Sequence, residues 1–326
     1  MYDIEALYEA ESPAHALELL EKYPEAHIIA GGSDVLIEIR EGKLAPREKP
    51  GFQGKLAGTI LVSLQKLDEL RGVTMDADGA LRIGAMTSIS HIALDPLIKK
   101  HIGVLAEAAE TIGGPQLRNI ATIGGNVCNG VTSADTASTL LAWDAVMEYL
   151  GPGGKRLVPI RDHYVAAGKT AIAHNEILTA IIIKKESYED CFGNYIKYAM
   201  RGALDIATLG CSANVRLSRD RKSIERMRLA YGVAGPVPMR TPSAEAAASG
   251  KPVTEETINA AAKAVLSDIK PRTSWRASAE LRLHLAGELA RRTLKESVRR
   301  AGFDIAAGFK PETPGPEAAG PKEGSL

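Results

Sequence analysis

Cysteine is scarce in this chain, and its scarcity argues against several kinds of site at once. The 326 residues include 3 cysteines, Cys128, Cys191 and Cys211. They are odd in number and far apart, and no C-x-x-C pair occurs, so the sequence predicts neither a disulfide framework nor a zinc or iron–sulfur site. If electrons pass through the protein, their metal centre belongs to another chain. Cys191 and Cys211 are expected to be buried, unpaired thiols.

Net charge and long apolar runs are also lacking. Lysine plus arginine number 40 and aspartate plus glutamate number 40, so no global field draws the chain to nucleic acid or to an anionic membrane surface. No apolar run approaches the roughly 20 residues needed to cross a bilayer. The start, MYDIEALYEAESPAHA, lacks the basic-then-apolar order of a secretory signal. We therefore expect a cytoplasmic protein with no nucleic-acid partner and no membrane partner.

Several familiar catalytic and nucleotide-binding motifs are missing as well. No G-x-G-x-x-G follows an early strand, which argues against a Rossmann site. Gly168, Lys169 and Thr170 resemble the end of a P-loop, but His163 stands where a P-loop has its first glycine. The 7 histidines show no metal-ligand spacing, and no nucleophile elbow is present. The sequence thus predicts no metal site and no catalytic side chain in this chain.

The chain does contain helix and strand signals, in two parts. Residues 1–185 alternate short strands and helices without a regular βαβ rhythm, and residues 190–302 change to three longer strands followed by two helices. We expect two α+β domains with these bounds, the second smaller. The polar segment 40–58 is predicted to be an exposed loop. Residues 303–326 are rich in proline, glycine and glutamate and are predicted to be a disordered tail.

Two glycine-pair turns are the most informative motifs. The first is IIAGGSDV at residues 28–35, and the second lies in NIATIGGNVCNGVTSADTA, about ninety positions later. There, branched residues before Gly124 and Gly125 predict a strand that ends in a tight turn, and Ser133 or Asp135 can cap the following helix. Free backbone N–H groups with no Cβ in the way suit a diphosphate or another anion. An ordinary loop is the alternative for either turn alone, but the two together with Asp135 suit one long ligand.

These turns belong to longer stretches that resemble a known family. IIAGGSDVLIEI, GGPQLRNIATIGGNVCNGVTSADTASTLLAWDA, KYAMRGALDIATLGCSANVRL and SWRASAELRLHL are similar to the medium, FAD-binding subunits of molybdenum hydroxylases, in particular the flavin subunits of bacterial xanthine dehydrogenases. The resemblance covers about residues 1 to 300. It implies a PCMH or vanillyl-alcohol-oxidase type FAD-binding domain of two α+β subdomains, followed by a smaller C-terminal α+β domain.

The resemblance also implies which residues contact FAD. The first turn should wrap the diphosphate with backbone amides, and the second should hold the same region from the other side. Asp135 matches the family's acidic FAD contact, and the segment at Asp205 should approach the flavin from the C-terminal domain. The implied contacts are Ile28, Ile29, Ala30, Gly31, Gly32, Ser33, Asp34, Val35, Ala121, Thr122, Gly125, Asn126, Asp135, Asp205 and Ile206.

Two residues depart from the animal members of the family. Ile112 stands where they carry an aromatic residue near the flavin ring, and Thr208 stands where they carry a lysine. One subgroup inserts a cysteine-rich loop for a [4Fe–4S] cluster into this subunit, and three scattered cysteines do not provide such a loop.

The implied function is electron transfer within a heteromeric enzyme. A large partner would carry molybdopterin and oxidise a purine or another N-heteroaromatic compound, and a small partner would carry [2Fe–2S] clusters that supply electrons to FAD. NAD⁺ would be the acceptor, and the assembly is expected to be a dimer of heterotrimers. The alternatives are a stand-alone flavoprotein oxidase of the same fold and a structural subunit without flavin.

Overall fold

The structure is a computed structural model, and it describes residues 3–44, 58–303 and 305. Most of the predicted 40–58 loop and nearly all of the predicted 303–326 tail lie outside the described residues. The strands in the described part are β1 (Ile4–Glu9), β2 (His27–Ile29), β3 (Thr59–Ser63), β4 (Val73–Met75), β5 (Leu81–Gly84), β6 (Val146–Gly151), β7 (Gly154–Pro159), β8 (Tyr164–Ala166), β9 (Lys169–Thr170), β10 (Ile177–Ile183), β11 (Cys191–Tyr198), β12 (Leu209–Leu217), β13 (Ile224–Gly232) and β14 (Met239–Arg240). The α-helices in the same part are α1 (Pro13–Lys22), α2 (Val35–Arg40), α3 (Ile89–Leu94), α4 (Pro96–Glu110), α5 (Pro115–Ile120), α6 (Ile123–Cys128), α7 (Asp135–Ala142), α8 (Ile160–His163), α9 (Lys185–Tyr188), α10 (Pro242–Ala248), α11 (Glu255–Ala264) and α12 (Ala279–Arg300).

A small parallel sheet near the N-terminus carries the first glycine turn. Its strand order is β1-β3-β2, and both pairings are parallel. Helix α1 begins at Pro13 because the Ser12 hydroxyl accepts a hydrogen bond from the His15 N–H, which satisfies a free donor of the first turn. Leu20 of α1 and Val62 of β3 are buried in one apolar core. The first turn therefore directly follows β2, a strand of this packed layer.

A larger antiparallel sheet forms the second layer and supports the second glycine turn. Its strand order is β4-β5-β10-β6-β7. Ile83 of β5, Ile181 of β10 and Leu140 of α7 share its buried core, which also includes residues of α4 and α6. Strands β6 and β7 form a hairpin through residues 151–154, as the Gly151-Pro152-Gly153-Gly154 sequence predicts.

The C-terminal part is an antiparallel sheet, β11-β12-β13-β14, covered by helices. The three long strands predicted after residue 185 are β11, β12 and β13. Helix α12 packs across β11 and β12. The leucine stripe of residues 275–301 predicts a helix over that range, but α12 begins at Ala279, because the Ser278 hydroxyl caps it by accepting from the Leu281 N–H.

The C-terminal part lies tightly against the rest of the chain. The β11 backbone at Gly193 touches the Trp143 ring so closely that a Cβ at 193 would overlap that ring and the Ala213 carbonyl oxygen. Arg300 at the end of α12 donates from Nη1 to Glu107 Oε1 of α4 at 2.7 Å and to the Gly193 carbonyl at 3.0 Å. Among the helices that the structure describes, none is long and apolar enough to cross a membrane.

Candidate cofactor-binding site

The two glycine turns, far apart in sequence, lie against each other. Gly31 packs directly on the next turn's backbone, since a Cβ there would overlap the Ile120 carbonyl oxygen and lie 2.9 Å from the Ala121 Cα. A Cβ at Gly125 would lie 4.0 Å from the Ala30 Cβ. Because glycine permits this approach, the turns form one continuous backbone surface. This junction brings together the two segments that the sequence indicates for a diphosphate.

The first turn presents a row of free donors. Strand β2 ends where Leu64 N–H donates to the Ile29 carbonyl at 3.1 Å, and Gly32 then takes a left-handed φ of +76°. Among the described residues, no acceptor is found for the backbone N–H groups of residues 31–35. Successive free amides around a left-handed residue form a concave anion-binding surface. The predicted contacts lie on β2 (Ile28, Ile29), in the turn (Ala30, Gly31, Gly32, Ser33, Asp34) and at the start of α2 (Val35).

The second turn differs from its prediction. The expected strand and tight turn are wrong. The chain before the glycine pair passes from the end of helix α5 to the start of α6, and Gly124 and Gly125 lie inside α6. Thr122 caps that helix, and its Oγ1 accepts from the Gly125 N–H at 3.0 Å. Gly124 is required by packing, since a Cβ there would lie 2.6 Å from the Ala85 carbonyl oxygen. Gly125 has no left-handed φ, so what it provides is space and not an unusual backbone conformation.

Two further donors belong to this second turn. Asn126 accepts at Oδ1 from the Thr136 hydroxyl at 2.6 Å, which fixes its side-chain amide. Its Nδ2 group and the Thr122 backbone N–H have no acceptor within the described ranges. Ala121, Thr122, Gly125 and Asn126 therefore lie in one turn, with donors available beside the Gly31 junction.

Asp135 does not cap a helix, and it is already engaged within the protein. Helix α7 begins at Asp135 itself, with Ala134 at the capping position and no side-chain cap, so capping by Ser133 or Asp135 is wrong. The Asp135 carboxylate is buried and accepts from the Tyr195 hydroxyl at 2.8 Å and from Lys197 Nζ at 2.9 Å. Burial raises the pKa of Asp135, and the Lys197 ammonium and Tyr195 hydroxyl oppose that rise.

Tyr195 and Lys197 are functional candidates that sequence reasoning missed. They come from NYIKYAM, where their spacing of two places them on one face of β11. That alternation was the available signal. The strand pattern does not reveal that Asp135, about sixty residues away in sequence, lies next to these two side chains.

Asp205, a predicted FAD contact, lies in a loop that its carboxylate stabilises through hydrogen bonds. Its carboxylate accepts from the Arg201 N–H at 3.0 Å and from the Ile206 N–H at 2.9 Å. Burial opposes ionisation, but these amides and the Arg201 side chain hold the pKa of Asp205 below its usual value. Leu204 in this loop lies against Gly114, where a Cβ would be 2.8 Å from Leu204 Cδ2. Leu204 and Ile206 expose apolar side chains, which suits contact with a flat ring system.

Residues 112 and 208 are both buried. Ile112 belongs to the core below the second turn. The Thr208 N–H donates to the Tyr198 carbonyl at 2.8 Å, whereas its buried hydroxyl has no partner among the described residues.

The cysteines differ in burial, and the structure also bears on possible metal ligands. Cys211 is buried and unpaired as predicted, whereas Cys191 is only half-buried and lies 3.2 Å from an Arg226 nitrogen. In the part of the chain that the structure describes, no cluster of three or more histidine, cysteine or acidic side chains could hold a metal ion.

Comparison with known proteins identifies the family. Residues 2–184 match the FAD binding domain in molybdopterin dehydrogenase, and residues 194–297 match the CO dehydrogenase flavoprotein C-terminal domain. The chain belongs to the FAD-binding subunits of molybdenum hydroxylases. It is thus an oxidoreductase subunit, as the resemblance implies.

Relatives and solved structures agree with this family. The chain is 40% identical to the xanthine dehydrogenase FAD-binding subunit of Escherichia coli O157:H7 over 93% of its own length and 99% of that protein. It is 30% identical to the nicotinate dehydrogenase FAD-subunit of Eubacterium barkeri over 72% of its length and 75% of that protein. A carbon monoxide dehydrogenase chain from Hydrogenophaga pseudoflava superposes with a TM-score of 0.83 at 27% identity, covering 92% of this chain and 99% of that one. The predicted α+β architecture of an FAD-binding domain followed by a smaller C-terminal domain is confirmed.

Proposed function

We propose that FAD binds where the two turns meet, with its diphosphate on the free amides of residues 31–35 and on the Thr122 N–H. The observation that carries this proposal is the packing of Gly31 on the Ile120 and Ala121 backbone, which leaves the donors of both turns side by side. A diphosphate needs several N–H donors at close range, and a surface without Cβ atoms supplies them.

The remaining predicted contacts complete the proposed site. Asn126 offers its side-chain amide beside the second turn, and the 200–206 loop offers apolar side chains from the C-terminal part. The division into domains at 1–185 and 190–302 belongs to the same proposal, with the ligand held mainly by the first domain. Residues of this chain bind and orient the cofactor, and bound FAD supplies the chemistry that connects one-electron donors to a two-electron acceptor.

The proposed electron path runs through partner chains. A large molybdopterin subunit would oxidise xanthine or another N-heteroaromatic compound, and a small [2Fe–2S] subunit would deliver electrons to this chain in a cytoplasmic dimer of heterotrimers. Support comes from the likeness to a xanthine dehydrogenase FAD-binding subunit and a nicotinate dehydrogenase FAD-subunit. The 3 scattered cysteines of this chain do not form a cluster-binding set, which supports the proposal that the iron–sulfur clusters belong to another chain. NAD⁺ is the proposed acceptor, and a purine the proposed substrate class.

Flavin absorbance in a stopped-flow instrument tests the proposal directly. The purified chain should carry FAD and be bleached by NADH, which runs the exit step backwards, but should stay oxidised with xanthine. Adding the partner subunits should make xanthine an effective reductant. Bleaching by xanthine without partners would favour a stand-alone flavoprotein oxidase, and a chain that never binds flavin would favour a structural subunit. An assembly that xanthine reduces and NADH does not would reassign the acceptor, for example to ferredoxin.

A further inference from the structure

A buried ammonium lies between the two parts of the chain that flank the proposed flavin position. Lys197 projects from β11 and donates to the Thr111 carbonyl at 3.0 Å and to Asp135 Oδ2 at 2.9 Å. Its side chain is 9% exposed, and that of Asp135 is 8% exposed. The Tyr195 hydroxyl occupies the other Asp135 oxygen. Because removing one partner of a buried ion pair leaves an uncompensated charge, this arrangement resists rearrangement.

The Thr111–Gly114 segment connects this ion pair to the second turn. Arg118 donates from Nη1 to the Ile112 carbonyl at 2.9 Å and to the Gly113 carbonyl at 3.3 Å. Leu204 from the C-terminal loop packs on Gly114. Helix α5 follows immediately and ends at residue 120, on which Gly31 packs. A shift of this segment would therefore also displace α5 and the Ile120 backbone at the junction of the two turns.

We propose that Lys197 is a positioning residue of the flavin site, which fixes the Thr111–Gly114 segment and the Asp135 carboxylate on one buried ammonium. This inference rests on the proposed function, because it places FAD at the junction of the turns. Each Asp135 oxygen accepts one hydrogen bond from β11, so Tyr195 and Lys197 fix the orientation in which the carboxylate can face the cofactor. The C-terminal domain sets the geometry of a site whose diphosphate-binding amides belong to the first domain.

The ammonium also has an electrostatic role. An ammonium has three N–H donors, and two of those on Lys197 have acceptors, whereas the third has none within residues 3–44, 58–303 and 305. Its charge lies at a low-dielectric position where electrostatic effects are strong. Flavin reduction adds electrons, so the Asp135 carboxylate alone would disfavour the reduced form, and the Lys197 ammonium balances that negative charge. Removing it should lower the flavin midpoint potential.

Lys197→Met tests the inference, and Lys295→Met is the matched control. Lys295 lies on α12, pairs with Glu255 of α11 and is 40% exposed, so the control removes a lysine ion pair that involves none of the predicted FAD contacts. For Lys197→Met, the dissociation constant of FAD should rise about tenfold or more, because hydrogen bonds to a charged group are lost. The midpoint potential of bound FAD should become more negative. Both quantities should stay at the parent values in Lys295→Met.

A double variant keeps the test decisive if the single variant folds poorly. Lys197→Met with Asp135→Asn removes both charges, so no unpaired charge is left in the core. It should still bind FAD more weakly, because the Thr111 carbonyl has lost its donor, whereas its potential should lie closer to the parent value than that of Lys197→Met, because the ion pair is removed without a change of net charge. FAD affinity and visible spectrum at parent values in either variant, with only a lower Tm, would overturn the inference and leave a structural ion pair. A parent chain that binds no FAD would overturn the proposed function together with this inference.

Discussion

The contact between Gly31 and the Ile120 backbone leaves no room for a side-chain atom. Position 31 requires glycine for space, position 32 for its left-handed φ of +76°, and position 125 for the close approach of the Thr122 Oγ1, which would lie 3.1 Å from a Cβ there. A glycine pair in sequence therefore has more than one physical cause. The sequence pointed to both pairs, but it did not distinguish these causes, because they depend on which backbone lies opposite.

Gly31→Ala should greatly reduce FAD retention. The new methyl group would meet the Ile120 carbonyl, which as backbone cannot rotate away, and the two turns would have to separate. Overpacking of this kind costs about 1 to 3 kcal/mol, which corresponds to roughly tenfold or more in affinity. The measurement is the ratio of flavin to protein absorbance after gel filtration. Gly103→Ala is the control because nothing lies within 4 Å of its Cβ position. Full flavin content in Gly31→Ala would show that the junction does not support the ligand.

Elements with a strong hydrophobic pattern were predictable from the sequence, whereas helix α6 of the proposed site was not. The apolar run at residues 177–183 predicts a strand, and β10 has these bounds, Ile177–Ile183, because the run is buried in the central sheet. Helix α6 has a weak local pattern that reads as a strand and turn. Its helical form depends on the Thr122 cap and on Ala85 packed against Gly124. Tertiary contacts thus decide its structure, and no short window of sequence contains them.

A buried histidine fixes the end of α6 and makes stability depend on pH. His163 is fully buried and hydrogen-bonds through Nδ1 to the Tyr149 hydroxyl and through Nε2 to the Val127 carbonyl at 3.1 Å. The carbonyl accepts, so Nε2 carries the proton and Nδ1 accepts from tyrosine. Burial lowers the pKa of His163. As pH falls below the unfolded value of about 6.5, the unfolded chain binds a proton that the folded chain does not, so the free energy of unfolding decreases.

His163→Gln should therefore have a shallower fall of unfolding free energy between about pH 6.5 and 5. One group contributes up to about 1.4 kcal/mol per pH unit, and the remaining slope includes His27 and His101, whose pKa values burial also lowers. Denaturant titrations across this range measure it. His284→Gln, at an exposed position on α12, is the control. An unchanged slope in His163→Gln would show that His163 is protonated alike in the folded and unfolded chains.

The two parts of the molecule are joined by contacts that no local pattern could reveal. Trp143 packs on Gly193, Arg300 reaches Glu107, and Lys197 reaches Asp135. Each pair brings together residues from different domains of the predicted division. The sequence resemblance implies that the C-terminal domain approaches the flavin, which stays a prediction, whereas the side chains that join the two parts became apparent only in three dimensions.

Gly193→Ala should loosen this closure and couple stability to flavin retention. The added methyl group would overlap the Trp143 ring and the Ala213 carbonyl, and overpacking at such a place costs about 1 to 3 kcal/mol. Tm should fall by several degrees, since about 2 to 4 °C correspond to 1 kcal/mol in chains of 150 to 250 residues. Gly193 lies on the same strand as Tyr195 and Lys197, so FAD fluorescence should appear at a lower temperature as the cofactor is released. Gly153→Ala, in the open β6–β7 turn with nothing within 4 Å of its Cβ position, should leave both temperatures unchanged. If Gly193→Ala lowers the protein's Tm while flavin release keeps its parent temperature, the C-terminal domain does not hold the cofactor in place.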